Sequence, residues 1–184
     1  VSVRAGLFLD RDGTIVGDAG YMHHPDLIRL LPGAKDALHK AARSFRLYLV
    51  TNQSGIGRGF YSLSDAEACN RRMLELLGLP EEAFQGICIA PESPDEPSAY
   101  RKPSPRYLLE RIAQDGLDAA ACWMVGDRLS DLQCGVNAGI RTALVRQTEH
   151  ATTPEILAFV HRHAIHGFDS LAECVDAILA EHLA

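Results

Sequence analysis

The sequence predicts an α/β fold in three layers, a parallel sheet with helices on both faces. Three observations carry this expectation. Short apolar runs alternate with segments of helical period along the chain. The runs are apolar at consecutive positions, as strands buried on both faces must be. The carboxylates, hydroxyls and a lysine stand just after those runs, where a doubly wound sheet opens its ligand crevice.

In chain order, Leu7-Phe8-Leu9 reads as the first strand and ends at Asp10. Pro32-Gly33 precedes an amphipathic helix from Ala34 to Ser44. Leu47 to Val50 forms the second strand, ending at Thr51. Ser64 to Leu77 is a helix whose Ser64 and Glu67 are spaced as a capping box. Gly86 to Ile89 is the third strand. Ser104-Pro105 opens the next helix, with proline in the first turn, where a missing N–H costs nothing. Trp123 to Val125 is the fourth strand and leads into Gly126-Asp127. A helix near Ser130 to Ala138 and a fifth strand, Thr142 to Val145, follow. The tail offers a helix from Pro154 to His161, a brief strand near Ala164–His166, and a last helix from Asp169. Between the third strand and its helix, Pro91 to Pro105 holds five of the nine prolines. It is too polar for a core element and reads as a long ordered loop of the kind that carries function.

Composition narrows the classes. The 184 residues suit one domain, residues 1–184, with 47% hydrophobic and 23% charged side chains. A net charge of −6 repels nucleic acid and anionic membranes, so an anionic substrate must be held by a few local cations. Five dispersed cysteines argue for reduced thiols rather than a disulfide framework. Val1-Ser2-Val3-Arg4 has no charged-then-apolar signal pattern, and no run reaches membrane-spanning length, so the expectation is a cytoplasmic protein.

Four strand ends converge on one crevice: Asp10-Arg11-Asp12-Gly13-Thr14, Thr51-Asn52-Gln53-Ser54-Gly55, Arg101-Lys102 from the long loop, and Gly126-Asp127-Arg128 with Asp131 a turn later. Phosphoryl transfer explains these residue types. A hard divalent cation held by carboxylates, with Asp10, Asp12 and Asp127 as the set, brings an anionic phosphate up to an anionic nucleophile. Asp10 can itself attack phosphorus and form an aspartyl-phosphate. Asp12, two positions on and crowded by other carboxylates, is placed to protonate the leaving oxygen and then to take a proton from water. Gly13 lets the chain turn close to the phosphate. Thr51 donates its hydroxyl to phosphate oxygens, and Lys102 supplies positive charge.

Taken singly, these motifs have bland readings. Asp-Arg-Asp is also a helix cap or a turn, and Arg101-Lys102 a solvated pair. Asp131 is either a first-turn helix carboxylate or a support near the metal. His23-His24 read as surface histidines, and His161, His163 and His166 lack the spacing and partners of a metal site.

At these residues the chain resembles the haloacid-dehalogenase superfamily of phosphatases, a Rossmann-like fold. Asp10-x-Asp12-Gly13-Thr14, Thr51, Lys102 and Gly126-Asp127 match its four motifs in order. Within it, Phe8 to Ile15, Gly20-Tyr21, Thr51 to Ile56, Arg101-Lys102-Pro103 and Val125-Gly126-Asp127 resemble the D-glycero-D-manno-heptose 1,7-bisphosphate 7-phosphatases, whose nearest relatives are the histidinol-phosphate phosphatases. The resemblance implies magnesium bound by Asp10, Asp127 and the main-chain carbonyl of Asp12. It implies no cap domain and a small sugar phosphate as substrate. Three loops would select that substrate: Asp18, Ala19, Gly20 and Tyr21; Asn52, Gln53 and Ser54; and the loop carrying Arg101, with Arg128 after the metal aspartate. That branch commonly ties its third loop with zinc, but this sequence has Ala90, Glu92, Ser98 and Tyr100 at those places, and Cys88 lies inside a strand. Structural zinc is therefore not expected, and the prolines would stiffen the loop instead. The expected oligomeric state is a monomer. Histidinol phosphate is the alternative substrate; a nucleic-acid end phosphatase and a non-enzymatic binding protein are the competing classes.

Overall fold

The computed structural model describes residues 4–182. Their strands are β1 (Gly6–Leu9), β2 (Arg46–Asn52), β3 (Phe84–Ala90), β4 (Trp123–Gly126), β5 (Arg141–Val145) and β6 (His166–Phe168). All pair in parallel, in the order β3-β2-β1-β4-β5-β6. The α-helices are α1 (Ala34–Ala41), α2 (Ser54–Gly57), α3 (Leu63–Leu77), α4 (Arg106–Gln114), α5 (Leu129–Ala138), α6 (Pro154–His163) and α7 (Leu171–His182).

Alternation along each strand divides the core between the two faces. Leu7, Leu9, Leu47, Leu49, Val125 and Val145 point to one side and pack with Leu38 of α1, Met73 and Leu77 of α3, and Val175 and Ile178 of α7. Phe8, Tyr48, Val50 and Met124 point to the other and pack with Leu108 of α4 and Cys134 of α5. This two-sided burial is why the strands read as continuous apolar runs rather than alternating ones. Among the described residues, no helix is long and apolar enough to cross a membrane.

Several boundaries differ from the sequence reading. The capping box of α3 is built by Ser62 and Asp65: the Asp65 N–H donates to Ser62 Oγ, and the Ser62 N–H to Asp65 Oδ2. Ser62 has extended backbone, φ −92° and ψ 166°, whereas Ser64 already lies inside the helix, so Ser64 and Glu67 form no box. The short sixth strand runs from His166 to Phe168 rather than ending at His166, and the last helix begins at Leu171 rather than Asp169. Pro105 is the residue before α4 and not its first turn.

β1 is the point where the strand order reverses, with β2 on one side and β4 on the other. Chain exits at the carboxyl ends of these three strands diverge and leave a crevice between them. Asp10 follows β1 directly, Thr51 and Asn52 end β2, and Asp127 follows β4.

Candidate active site

A cavity of about 350 Å³ opens at this point, lined among others by Asp10, Asp12, Asp18, Tyr21, Gln53, Arg101, Lys102, Arg128 and Asp131. Lys102 anchors its floor. The ammonium donates to Asp10 Oδ1 at 2.6 Å and to the Val50 carbonyl at 2.7 Å, and it stands 2.6 Å from Asp131 Oδ1. Burial works against the ammonium, but Asp10 and Asp131 outweigh it and hold Lys102 above its ordinary pKa. Its backbone is pinned as well: the Lys102 N–H donates to Asn52 Oδ1 at 3.0 Å, and Asn52 Nδ2 donates to the Lys102 carbonyl at 3.1 Å. The Asn52 amide thus fixes the long loop to the end of β2.

Asp10, Asp127 and Asp131 are buried, and one carboxylate oxygen from each lies within 4.8 Å of the others. Asp127 Oδ2 accepts the Thr148 hydroxyl at 2.6 Å, while Asp127 Oδ1 is buried with no hydrogen-bond partner among the described residues. Burial, aided by Asp131, pushes the Asp127 carboxyl up to about 7. Burial raises Asp10 well above its ordinary value, against Lys102 and with Asp131, Asp127 and Asp12 adding to the rise. Three buried carboxylates against one ammonium leave excess negative charge, and a buried oxygen without a partner is costly. A small oxygen-seeking divalent cation answers both, so the donor set fits one. Two glycines make the crowding possible. A Cβ on Gly13 would meet Asp127 Oδ2 at 2.2 Å, and one on Gly126 would meet Asp131 Oδ2 at 2.3 Å.

Asp12 stands apart from this cluster. Its carboxylate accepts Arg11 Nε and Nη2, each at 3.0 Å, and Gln53 Nε2 at 2.8 Å. The carboxylate crowding expected around Asp12 is found around Asp10, Asp127 and Asp131, while the nearest charge to Asp12 is a guanidinium. Thr51 is buried at the end of β2, where its hydroxyl oxygen accepts Gln53 Nε2 at 2.7 Å.

The three loops meet the cavity unequally. Asp18 accepts the Gly20 N–H at 2.8 Å and forms an ion pair with Arg128. Burial opposes it, but the Gly20 N–H and Arg128 together draw the Asp18 carboxyl below its ordinary value. Gly20, Tyr21 and Ser54 line the cavity, and Ala19 lies outside its lining. Arg101 lines it too, with Nη1 donating to the Glu92 carbonyl at 3.0 Å. His23 and His24 are exposed, and no carboxylate or thiol gathers round His161, His163 or His166 among the described residues.

Four contributors escaped the sequence reading. Arg11 is fully buried, Asn70 of α3 accepts its Nη1 at 2.9 Å, Tyr61 reaches in behind Gln53, and Thr148 arrives from the loop after β5. Only Arg11 had a visible signal, its place between the two aspartates.

Comparison with known proteins agrees with this geometry. The HAD-hydrolase-like family model matches residues 99–174. The D-glycero-D-manno-heptose-1,7-bisphosphate 7-phosphatase of Chlorobaculum tepidum is 38% identical over 154 residues, covering 76% of this chain and 77% of that protein. The D-glycero-beta-D-manno-heptose-1,7-bisphosphate 7-phosphatase of Escherichia coli K12 is 36% identical, covering 81% of this chain and 82% of that one. Among solved structures, a D,D-heptose 1,7-bisphosphate phosphatase from B. bronchiseptica, complexed with magnesium and phosphate, superposes with a TM-score of 0.82 at 28% identity. It covers 96% of this chain and 99% of that one. Fold, site geometry and relatives together place this chain among the HAD-type phosphoric monoester hydrolases, in the heptose-bisphosphate phosphatase family.

Proposed function

We propose that this chain removes the 7-phosphate of D-glycero-D-manno-heptose 1,7-bisphosphate through an aspartyl-phosphate on Asp10. One observation carries the reading most directly: Asp10, grouped with Asp127 and Asp131, sits under Lys102 on the floor of a cavity bordered by Arg101 and Arg128. Cations beside the reacting centre suit a small substrate with a second phosphate.

Asp10, Asp127 and Asp131, with the Asp12 main-chain carbonyl, would hold magnesium. When bound, that ion neutralises charge on the phosphoryl oxygens and on the attacking carboxylate. Lys102 holds Asp10 Oδ1, which leaves Oδ2 to form the new bond to phosphorus as the bond to the sugar oxygen breaks. Asp12 gives a proton to that departing oxygen. It then takes one from the water that attacks the aspartyl-phosphate and restores Asp10. Thr51 offers its hydroxyl to a phosphoryl oxygen, and Arg101 and Arg128 receive the remote phosphate.

The same reading takes the chain as one capless domain, a monomer of the cytoplasm with neither nucleic acid nor membrane as partner. It also takes the Pro91–Pro105 loop as held without zinc. The contacts that support this are the Gly57 N–H on the Pro91 carbonyl at 2.8 Å, the Ser93 N–H on Glu96 Oε2 at 2.6 Å and the Arg101 N–H on Ser98 Oγ at 3.0 Å. Stoichiometric zinc in purified protein would overturn that part.

The test is a panel of phosphate esters with magnesium. Heptose 1,7-bisphosphate is expected to give the largest kcat/KM, well above histidinol phosphate, hexose phosphates and 5′-phosphorylated DNA. A clear preference for histidinol phosphate, or turnover of none, would refute the assignment.

A further inference from the structure

A carboxyl that protonates a departing oxygen must be held still, with one oxygen turned toward the reaction. Gln53 and, behind it, Tyr61 from outside the family motifs do the holding here. Gln53 Nε2 donates to Asp12 Oδ2 at 2.8 Å and to Thr51 Oγ1 at 2.7 Å, so both protons of one amide nitrogen are used. A primary amide turned by half a rotation would offer its carbonyl oxygen to both, and Asp12 would face an acceptor. Tyr61 works against this turn: burial pushes its phenol up to about 12 and keeps the proton on, and its hydroxyl donates to Gln53 Oε1 at 2.7 Å, a bond the turned amide would give up. Because Thr51 Oγ1 accepts from Gln53, its own hydroxyl proton is released for another acceptor. The site is made to fit: a Cβ on Gly55 would lie 2.1 Å from the Tyr61 ring. Across Asp12, Arg11 is tied to Asn70 of α3, which fences the carboxylate from the other side.

We infer that Tyr61, acting through the Gln53 amide, is a positioning residue that sets the Asp12 carboxyl for proton transfer to the leaving group. The inference rests on the general-acid role of Asp12 given above.

The experiment compares kcat/KM for a sugar phosphate with that for 4-nitrophenyl phosphate, whose leaving group departs without a proton. In Tyr61→Phe, kcat/KM on the sugar phosphate falls about tenfold or more, while the aryl ester changes less than about threefold. Gln53→Met, which keeps the shape and loses the amide, gives the same selective loss. A fall of equal size on both esters, or on neither, in the two variants would overturn the inference. Asp12→Asn separates this from the underlying reading. If it loses the sugar phosphate selectively and Tyr61→Phe does not, the positioning role alone fails. If Asp12→Asn shows no selective loss, the general-acid assignment itself fails.

Discussion

Lys102 Nζ lies 2.6 Å from Asp10 Oδ1, across 92 residues of sequence, with both side chains almost wholly buried. The pair joins the end of the first strand to the long loop after the third. A third group, Asp131, has its Oδ1 2.6 Å from the same ammonium. Removing the ammonium leaves two buried carboxylates without their counter-charge, which costs about 3–5 kcal/mol where such a pair is broken from one side. Lys102→Ala is therefore expected to lower stability by an amount of that order in metal-free denaturation curves, and to lower kcat/KM with it. Unchanged curves and unchanged turnover would remove Lys102 from the site.

Gly13 carries φ +85°, and a Cβ there would meet Asp127 Oδ2 at 2.2 Å. Gly13→Ala is expected to displace Asp127 and weaken magnesium binding by about 5- to 30-fold, since an added conflict of about 1–2 kcal/mol acts on the metal carboxylate itself. Calorimetric titration of the variant with magnesium checks this; an unaltered affinity would contradict it.

The Thr148 hydroxyl donates to Asp127 Oδ2 at 2.6 Å and fixes the carboxylate, while its buried Oδ1 has no hydrogen-bond partner among the described residues. Partners of this kind are typically worth about 10–100-fold in metal affinity. Thr148→Ala is expected to lose that much in the same titration, and Thr148→Ser, which keeps the hydroxyl, to recover most of it.

The raised Asp127 carboxyl also makes stability depend on pH. Its ordinary value is 3.8 and the folded value is about 7, so between them the native state holds the proton that the unfolded chain has lost. The stabilisation is fully present below the unfolded value and disappears as pH rises through the folded one. Metal-free protein is expected to melt at a lower temperature at pH 8 than at pH 5.5, with a slope reduced in Asp127→Asn and by saturating magnesium. A slope identical in the wild type and the variant would refute this origin.

How much of this was legible in the sequence follows from where the chemistry sits. Strands buried on both faces wrote themselves as apolar runs, and Asp10, Thr51 and Asp127 follow directly at their ends, so sheet and motifs were readable together. Contacts that depend on side-chain direction were not. Asp131 read equally as a helix-start carboxylate, because both roles place an acid in the first turn; its Oδ2 does accept the Arg128 N–H at 2.9 Å while Oδ1 faces Lys102. Asn52, expected at the substrate, lines the cavity and in addition clasps the Lys102 backbone, a second role that no spacing announced. Ser62 and Ser64 each have an acid three residues on, and only backbone geometry chooses between them. Tyr61 and Thr148 lie outside any motif, and only tertiary packing brings them to Gln53 and Asp127.

The central claim is that a carboxylate oxygen of Asp10 takes the phosphoryl group. Acid quenching during turnover, followed by borohydride reduction and peptide mass spectrometry, tests it most directly. The account predicts homoserine in place of Asp10 in wild-type protein quenched with substrate, and unmodified peptide with no turnover in folded Asp10→Asn. Steady release of phosphate by Asp10→Asn, or a label that settles on another residue, would contradict it.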